Sequence, residues 1–368
     1  MRILILTTHL DKGGVSFYAL NLARILKSSG IYAAVASGGG ELEEELRKAG
    51  IDHYPLDIRT KSEFGIKMWK ALPVLKRLVV KEGFDLIHAQ TRVAQVLAEL
   101  CGKSLSIPFI STCHGFFRHR KLSRRLFPCW GKKVIAVSKS VEKHLVSDFY
   151  VPSGDVEQIY NGIGLDRFLF LPPGKDAEAA ERVGINSDAL VVGAVGRLSP
   201  VKGYEYLVEA FKGFSETEKR SVLLLVGDGP EKFKLSRQIQ KLGITDRVRM
   251  VPGSLALEKY MSLIDIFCMP SIHEGLGLSL MEAMASRRSC VASDVGGLSE
   301  LIVSGEDGIL VPVKNAAALG EAIKALAYDP GLREKLARNA REKAGRAFSI
   351  EDSVRRTVEV YERVLRKS

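Results

Sequence analysis

The sequence predicts an α/β protein of two doubly wound parallel-sheet domains, and three observations carry that prediction. Short runs of leucine and β-branched residues alternate with helical stretches. The alternation breaks at a glycine- and proline-rich segment and restarts near Leu190. The 368 residues exceed one ordinary core and suit two domains of about 150–200 residues each.

Arg2-Ile-Leu-Ile-Leu-Thr7 opens the first half as the continuous apolar run of a strand buried on both faces of a parallel sheet. A Gly13-Gly14 turn follows, then a helix with Phe17, Leu20, Leu22, Ile25 and Leu26 on its apolar side. Ala33–Ala36, Leu86–His88, Phe109–Ser111 and Val134–Val137 read as further strands, with helical stretches such as Glu41–Ala49 and Phe64–Lys81 between them. Asn161–Lys175, holding Gly162, Gly164, Pro172, Pro173 and Gly174, reads as the hinge. Leu190–Val195 then opens a second unit, continued by Val222–Val226, Val248–Val251, Ile266–Met269, Cys290–Ala292 and Ile309–Val311. Two such sheets facing each other would leave a cleft at the carboxyl ends of their strands, where ligands of α/β sheets bind.

Composition narrows the function. The five cysteines are an odd number with no C-x-x-C pair, against a disulfide framework or structural zinc site and for a reducing, cytoplasmic setting. Met1–Leu10 lacks the features of a signal peptide and reads as a buried first strand. No apolar run approaches the roughly 18 residues of a membrane span. The net charge of +11 sits mostly in the first half: residues 1–170 hold 25 basic and 16 acidic side chains, residues 171–368 hold 29 and 27. A basic first half points to an anionic partner such as a phospholipid surface, an anionic glycan, a phosphorylated lipid or nucleic acid; the alternative is solvated helix faces. Its densest stretch is Arg118–Lys133, where Arg118, Arg120, Lys121, Arg124, Arg125, Lys132 and Lys133 interleave with Phe116, Phe117, Leu122, Leu126, Phe127 and Trp130. Basic residues beside exposed-looking aromatics fit contact with an acceptor or an anionic membrane; the alternative is a plain surface helix.

The chemistry concentrates between Pro270 and Ala285. An apolar strand ends at Met269, a loop carries Glu274, and Gly275-Leu276-Gly277-Leu278 opens a helix holding Glu282. Glycine admits close backbone approach, and the unpaired amides of a helix start attract phosphate or hydroxyl oxygens. Eight residues can set the two carboxylates up to about 12 Å apart at roughly 1.5 Å per residue. They cannot form a tight acid–base dyad, but they can hold two ends of one elongated ligand. Alone, Glu282 would read as an exposed helix glutamate.

Context changes that reading. The stretch resembles the E-x7-E motif of the family-4 retaining glycosyltransferases (glycosyl transferases group 1), whose members have the GT-B fold of two Rossmann-like domains. The resemblance implies that Glu274 addresses hydroxyls of the transferred sugar and Glu282 the ribose of the nucleotide. Gly196-Arg197-Leu-Ser-Pro-Val-Lys202-Gly203 looks like the family's Arg/Lys pair, which neutralises the donor diphosphate. Gly227-Asp-Gly229-Pro230 is similar to the turn near the base, and Gly13 and Gly14 to the N-terminal glycine loop near phosphate and acceptor. His114 stands where the family has a cleft histidine near the sugar. Val295–Glu300 resembles the family's next loop, with Glu300 read as structural. Gly164 departs from the pattern, standing where aspartate is common, which touches hinge or acceptor contacts and not the donor site.

The resemblance spans nearly the whole chain and implies an N-terminal acceptor domain at 1–165 with about 350–368, since the last helix crosses back in that family. A donor domain takes 166–349. Two fixed cations and a helix start can stabilise a departing nucleoside diphosphate without a metal. No D-x-D sequence occurs, and neither metal nor cofactor is expected. The implied reaction moves a sugar from a nucleotide sugar, a UDP-sugar first and GDP-mannose second, to a glycan or lipid-linked acceptor in cell-envelope synthesis, with retention of configuration. The setting is cytoplasmic, with peripheral contact at the inner face of the membrane through the basic first domain. A nucleotide-sugar epimerase of the same architecture is the main rival. A dinucleotide oxidoreductase needs G-x-G-x-x-G, and Lys232 stands where the third glycine belongs. A nucleic-acid binder would explain the charge but leaves the strand-end motifs without purpose.

Overall fold

A computed structural model of the chain describes residues 1–117, 121–168, 176–254 and 256–367, with backbone only at 121 and 122. It divides into two compact units, Met1–Gly162 with Ile350–Ser368, and Ile163–Ser349.

In the first unit, β1 (Arg2–Leu6), β2 (Tyr32–Ser37), β3 (His53–Pro55), β4 (Leu86–Ala89), β5 (Phe109–Cys113), β6 (Val134–Ala136) and β7 (Val156–Gln158) form one parallel sheet. Its order is β3-β2-β1-β4-β5-β6-β7. Side chains of β1 alternate between two cores. Ile3 and Ile5 pack with Leu22 and Leu26 of the helix Gly14–Ser28, while Leu4 and Leu6 pack with Met68, Leu75 and Leu97 on the other face. A strand covered on both faces needs no polar alternation, which is why β1 is continuously apolar. The helix Ile350–Leu365 closes the first of these cores. Its buried Ile350, Val354, Thr357, Tyr361 and Val364 recur by threes and fours and lie beside the helix Gly14–Ser28.

In the second unit, β8 (Leu190–Val195), β9 (Ser221–Val226), β10 (Val248–Val251), β11 (Ile266–Met269), β12 (Ser289–Ser293) and β13 (Ile309–Val311) pair in parallel in the order β10-β9-β8-β11-β12-β13. Phe211 and Phe214, both fully buried, anchor its core against Leu223 and Leu225. Burial of each such side chain contributes roughly 1.5–3 kcal/mol before the entropy cost of ordering it.

The two Rossmann-like sheets reverse strand order at equivalent places, between β1 and β4 and between β8 and β11. Connections there leave in opposite directions, opening a crevice beyond the carboxyl ends. The predicted strands are all present. The two not anticipated, β3 and β7, are three-residue edge strands, one ending in proline and one with a single buried residue, too short for periodicity to register. The helix predicted from Phe64 starts at Ile66. In the predicted hinge, Ile163 bridges to Ser349 and Leu165–Phe168 forms a short 3-10 turn. Pro172, Pro173, Gly174 and Lys175 lie outside the described residues. Among the described residues, no helix is long and apolar enough to cross a membrane.

Candidate functional site

The switch between β8 and β11 gathers most of the residues singled out in the sequence. After β8 come Gly196 and an exposed Arg197, whose guanidinium has no partner among the described residues. A 3-10 turn, Pro200–Lys202, then points Lys202 at the loop that follows β11. The Lys202 ammonium donates to Glu274 Oε2 at 2.5 Å, and the Ser271 hydroxyl donates to the same oxygen at 3.3 Å. Both members of the ion pair are largely sheltered, at 20% and 17% side-chain exposure. Two motifs 72 residues apart thus converge on one charge pair.

Backbone contacts set that geometry. The Ile272 amide donates to Val201 O at 2.8 Å, tying the two loops together. Gly203, at φ 63°, lies so close to Pro270 that a Cβ there would stand 2.1 Å from its carbonyl oxygen, so only glycine fits. The Gly297 amide donates to Glu274 O at 3.1 Å, so the Val295–Glu300 loop braces Glu274 from behind. Glu300 itself sits in the short helix Leu298–Leu301. Tyr204 is buried beneath, its phenol raised above the ordinary range by burial and then by the charge of Glu274. The Gly227–Pro230 turn docks on the same loop: the Leu198 amide donates to Asp228 O, and the Glu231 amide to Leu198 O.

Gly277, at φ 104°, starts the helix Leu278–Ala285, and no side chain caps it. The Leu280 and Met281 amides donate to Gly277 O, which leaves those of Leu278 and Ser279 to face an oxygen-rich ligand. Gly275 and Leu276 are buried beside it, and Leu278 leads the helix. Glu282 lies one turn on. Burial pushes its carboxyl up to about 8; the Arg167 guanidinium opposes that shift and Glu258 adds to it. Arg167 is engaged with Glu258 at 3.2 Å, and the Glu282 carboxyl has no hydrogen-bond partner among the described residues. Without ligand it is a neutral acid at pH 7.

The first unit holds the remaining set at its own strand ends. Gly13 caps and Gly14 begins the helix Gly14–Ser28, both exposed and without a side-chain cap. The Thr8 hydroxyl meets that of Thr91 at 2.5 Å. His114, just past β5, shares a 2.9 Å hydrogen bond between Nε2 and Gln90 Oε1, and Tyr18 lies edge-on to its ring at 5.0 Å. Burial pulls His114 down to about 3, so it is neutral. Gln90 Nε2 and the Thr7 hydroxyl are buried without partners among the described residues. Such orphans call for a ligand hydroxyl or an ordered water. Behind them, His88 Nδ1 meets the Tyr361 hydroxyl at 2.7 Å and His88 Nε2 meets Thr112 Oγ1 at 2.7 Å.

One expectation is corrected. Of the aromatics named with the basic stretch Arg118–Lys133, Phe117 and Trp130 are not laid out on the surface. Phe117 and Trp130 stack with each other and with Phe149, and Arg124 lies over the Phe117 ring at 3.7 Å and is itself buried. The cause is packing. Spacing alone cannot distinguish an exposed aromatic from one folded inward onto the helix Lys139–Phe149. Arg118 and Arg120 lie outside the described residues, as do the side chains of Lys121 and Leu122. Among the described residues no group of three or more His, Cys, Asp or Glu is placed to hold a metal ion.

Sequence reading passed over Ser271, Tyr204, Gln90 and Arg167. Ser271 lies within and Tyr204 beside a stretch already flagged, and Gln90 stands two residues past a predicted strand, which is a usable signal. Arg167 carries none, because its bearing on Glu282 is purely tertiary.

Comparison with known proteins places both halves. The family model of glycosyl transferases group 1 matches residues 175–343, and that of glycosyltransferase family 4 matches residues 12–167. An uncharacterized glycosyltransferase of Methanocaldococcus jannaschii is 26% identical over 95% of this chain and 94% of its own. The UDP-Gal:alpha-D-GlcNAc-diphosphoundecaprenol alpha-1,3-galactosyltransferase of Escherichia coli is 25% identical over 80% of each chain. Among solved structures, Anabaena HepE in complex with UDP and glucose superposes with a TM-score of 0.88 at 23% identity, covering 98% of this chain and 99% of its own. At that identity the likeness concerns the fold, which is GT-B.

Proposed function

The chain belongs to the glycosyltransferases of group 1, and from that premise we propose that it transfers a sugar from a nucleotide sugar bound at the β8–β11 switch, with retention of configuration and without a metal. The observation that carries this reading is the Lys202–Glu274 pair beside the unpartnered Arg197 and the uncapped helix start at Leu278. Arg197 and Lys202 meet the diphosphate, and the amides of Gly275 to Leu278 supply neutral donors to its oxygens. Glu282 takes the ribose hydroxyls, Gly227 and Gly229 line the base, and Glu274 orients the sugar. His114, Gly13 and Gly14 serve the sugar, the phosphate and the acceptor from the first unit.

In the transfer step the acceptor oxygen bonds to the anomeric carbon as the bond from that carbon to the phosphate oxygen breaks. The acceptor's proton passes to the leaving phosphate oxygen, giving glycoside and nucleoside diphosphate. The cations offset the charge that gathers on the diphosphate as it departs, and that is the electrostatic work of the site.

A UDP-sugar is the preferred donor and GDP-mannose the second choice. The name of the Escherichia coli relative pairs a UDP-sugar with a lipid-diphosphate acceptor, which supports a lipid-linked or glycan acceptor in cell-envelope synthesis on the cytoplasmic side.

Calorimetric titration with UDP, GDP, ADP and dTDP, with EDTA present, tests the donor site in wild type and Glu282→Ala. Binding of one nucleotide, indifferent to EDTA and weakened at least tenfold in the variant, supports the reading. Binding that vanishes in EDTA refutes metal independence, and equal binding by the variant removes Glu282 from the site.

A further inference from the structure

The helix Ile66–Glu82 carries two apolar stripes where its fold uses one. Met68, Ala71, Leu75 and Val79 are buried against the sheet. On the opposite side Ile66, Trp69, Pro73 and Val80, at spacings of three, four and seven, are open to solvent, Ile66 at 73%, Trp69 at 53% and Val80 at 67%. A helix packed on one face normally presents a charged outer face. This one presents an aliphatic and aromatic ridge.

The ridge continues past the helix start. Phe64, half exposed, lies edge-on to Phe127 at 5.6 Å, next to Leu126 at 76% exposure. The start is also held firmly. Arg92 donates to buried Glu63 at 2.7 Å and to the carbonyls of Phe127 and Pro128. At the other end Val74, Leu78, Val80 and Leu105 line a shallow apolar depression of about 680 Å3 rimmed by Lys76, Arg77 and Lys81.

Charge identifies the occupant. Lys67, Lys70 and Lys81 border the ridge on one side, Lys76 on the other, and Arg77 lies within it; the only acid of the helix is Glu82, at its end. Lys70, Lys76 and Arg77 have no acidic partner among the described residues. An apolar ridge bordered by long basic side chains matches the boundary between acyl chains and anionic headgroups, where tryptophan settles and lysine stems reach up to phosphate. A second copy of the same face would bring these cations against each other. Nucleic acid would leave the aliphatic ridge without a counterpart. We propose that this chain docks on an anionic lipid surface through the outer face of Phe64–Lys81, with the helix in the plane of the interface. The inference concerns the outer face of this helix and stands whether or not the donor reading holds.

Sedimentation of the full chain with phosphatidylglycerol–phosphatidylcholine vesicles, against phosphatidylcholine alone, tests it. Wild type should pellet with the anionic vesicles only. Ile66→Ser with Trp69→Ser, and separately Lys70→Glu with Arg77→Glu, should each weaken binding roughly tenfold. Their melting temperatures should stay near wild type, because the substituted side chains are exposed. A second readout uses the two tryptophans, Trp69 and the buried Trp130. In Trp130→Phe only Trp69 emits, and anionic vesicles should shift that emission to shorter wavelength. Unchanged vesicle binding by both double variants, or Trp69 emission indifferent to vesicles, overturns the proposal. So does a dimer in solution that is lost in Ile66→Ser with Trp69→Ser while wild type binds no vesicle.

Discussion

At the switch between β8 and β11 the second unit holds a sheltered lysine–glutamate pair, an arginine without a partner among the described residues and an uncapped helix start. At the equivalent switch between β1 and β4 the first unit holds Thr8, Gln90 and, one strand over, a neutral histidine. The sheets reverse strand order alike and each unit holds a helix start without a side-chain cap, so the contrast lies mainly in side chains. On the reading proposed above, one set meets an anion and the other hydroxyls. Function in such folds is written into strand-end loops, and the sheet only places them.

The largest expected effect separates the two members of the cationic set. Lys202→Ala and Arg197→Ala should each lower kcat/KM for donor turnover by roughly 100- to 1000-fold if both meet the diphosphate. Only Lys202→Ala should also lower the melting temperature, because it leaves Glu274 half buried without its counter-ion, whereas Arg197 is exposed and has no partner among the described residues. Equal melting temperatures with equal kinetic losses would mean that the ion pair contributes nothing to the unliganded fold.

Glu282 gives the next effect, readable against pH. Its carboxyl stands at about 8 in the fold against 4.5 unfolded, so the folded state holds the proton more tightly. Stability is full below the unfolded value, falls as pH rises from about 4.5 to about 8, and is flat above. Glu282→Gln should match wild type near pH 4.5 and melt a few degrees higher at pH 8.5, while binding nucleotide about tenfold less well. A stability curve of the same shape in the variant would show that burial does not govern this carboxyl.

The first unit's histidines run the other way. His88 and His114 are pulled down to about 3 from 6.5 by burial, so the unfolded chain binds protons that the fold refuses. Their contribution to stability is full above about 6.5 and is lost as pH falls toward 3. His114→Gln should remove part of that acid sensitivity and lower turnover roughly tenfold. The wild-type rate should show no inflection near pH 6.5 traceable to His114. Such an inflection, missing in the variant, would make His114 a proton-transfer group rather than a neutral hydrogen-bonding one.

These residues differ in how far the chain alone reveals them. β1 and β8 announce themselves because strands covered on both faces must be continuously apolar. Glu274 and Lys202 were each legible from glycine-flanked loops after such strands. Their pairing was not, since 72 residues separate them and only the folded β8–β11 junction joins them. The aromatics near Arg118–Lys133 misled for a related reason: burial of Trp130 is decided by Phe149, which no local pattern names. Trp69 shows the converse. The sequence reads only as a helical stretch over Phe64–Lys81, and the fold reveals that one of its apolar stripes has nothing against it among the described residues.

The smallest effect falls on Tyr361, and it asks whether the two strand-end sets are energetically separate. Its hydroxyl meets buried His88, which also meets Thr112 on β5, the strand that leads to His114. Tyr361→Phe keeps the ring's packing and removes one hydrogen bond, leaving a buried imidazole nitrogen unsatisfied. That should cost about 1–3 kcal/mol of stability, seen as a lower urea midpoint with an unchanged slope. The affinity for UDP should not change, because Tyr361 belongs to the first unit and every group assigned to diphosphate, ribose and base, apart from the Gly13-Gly14 loop, belongs to the second. A tenfold loss of UDP affinity in this variant would mean that the buried chain from Tyr361 through His88 bears on the nucleotide. The division into an anion-binding set and a hydroxyl-binding set would then fail as a description of how the enzyme holds its donor.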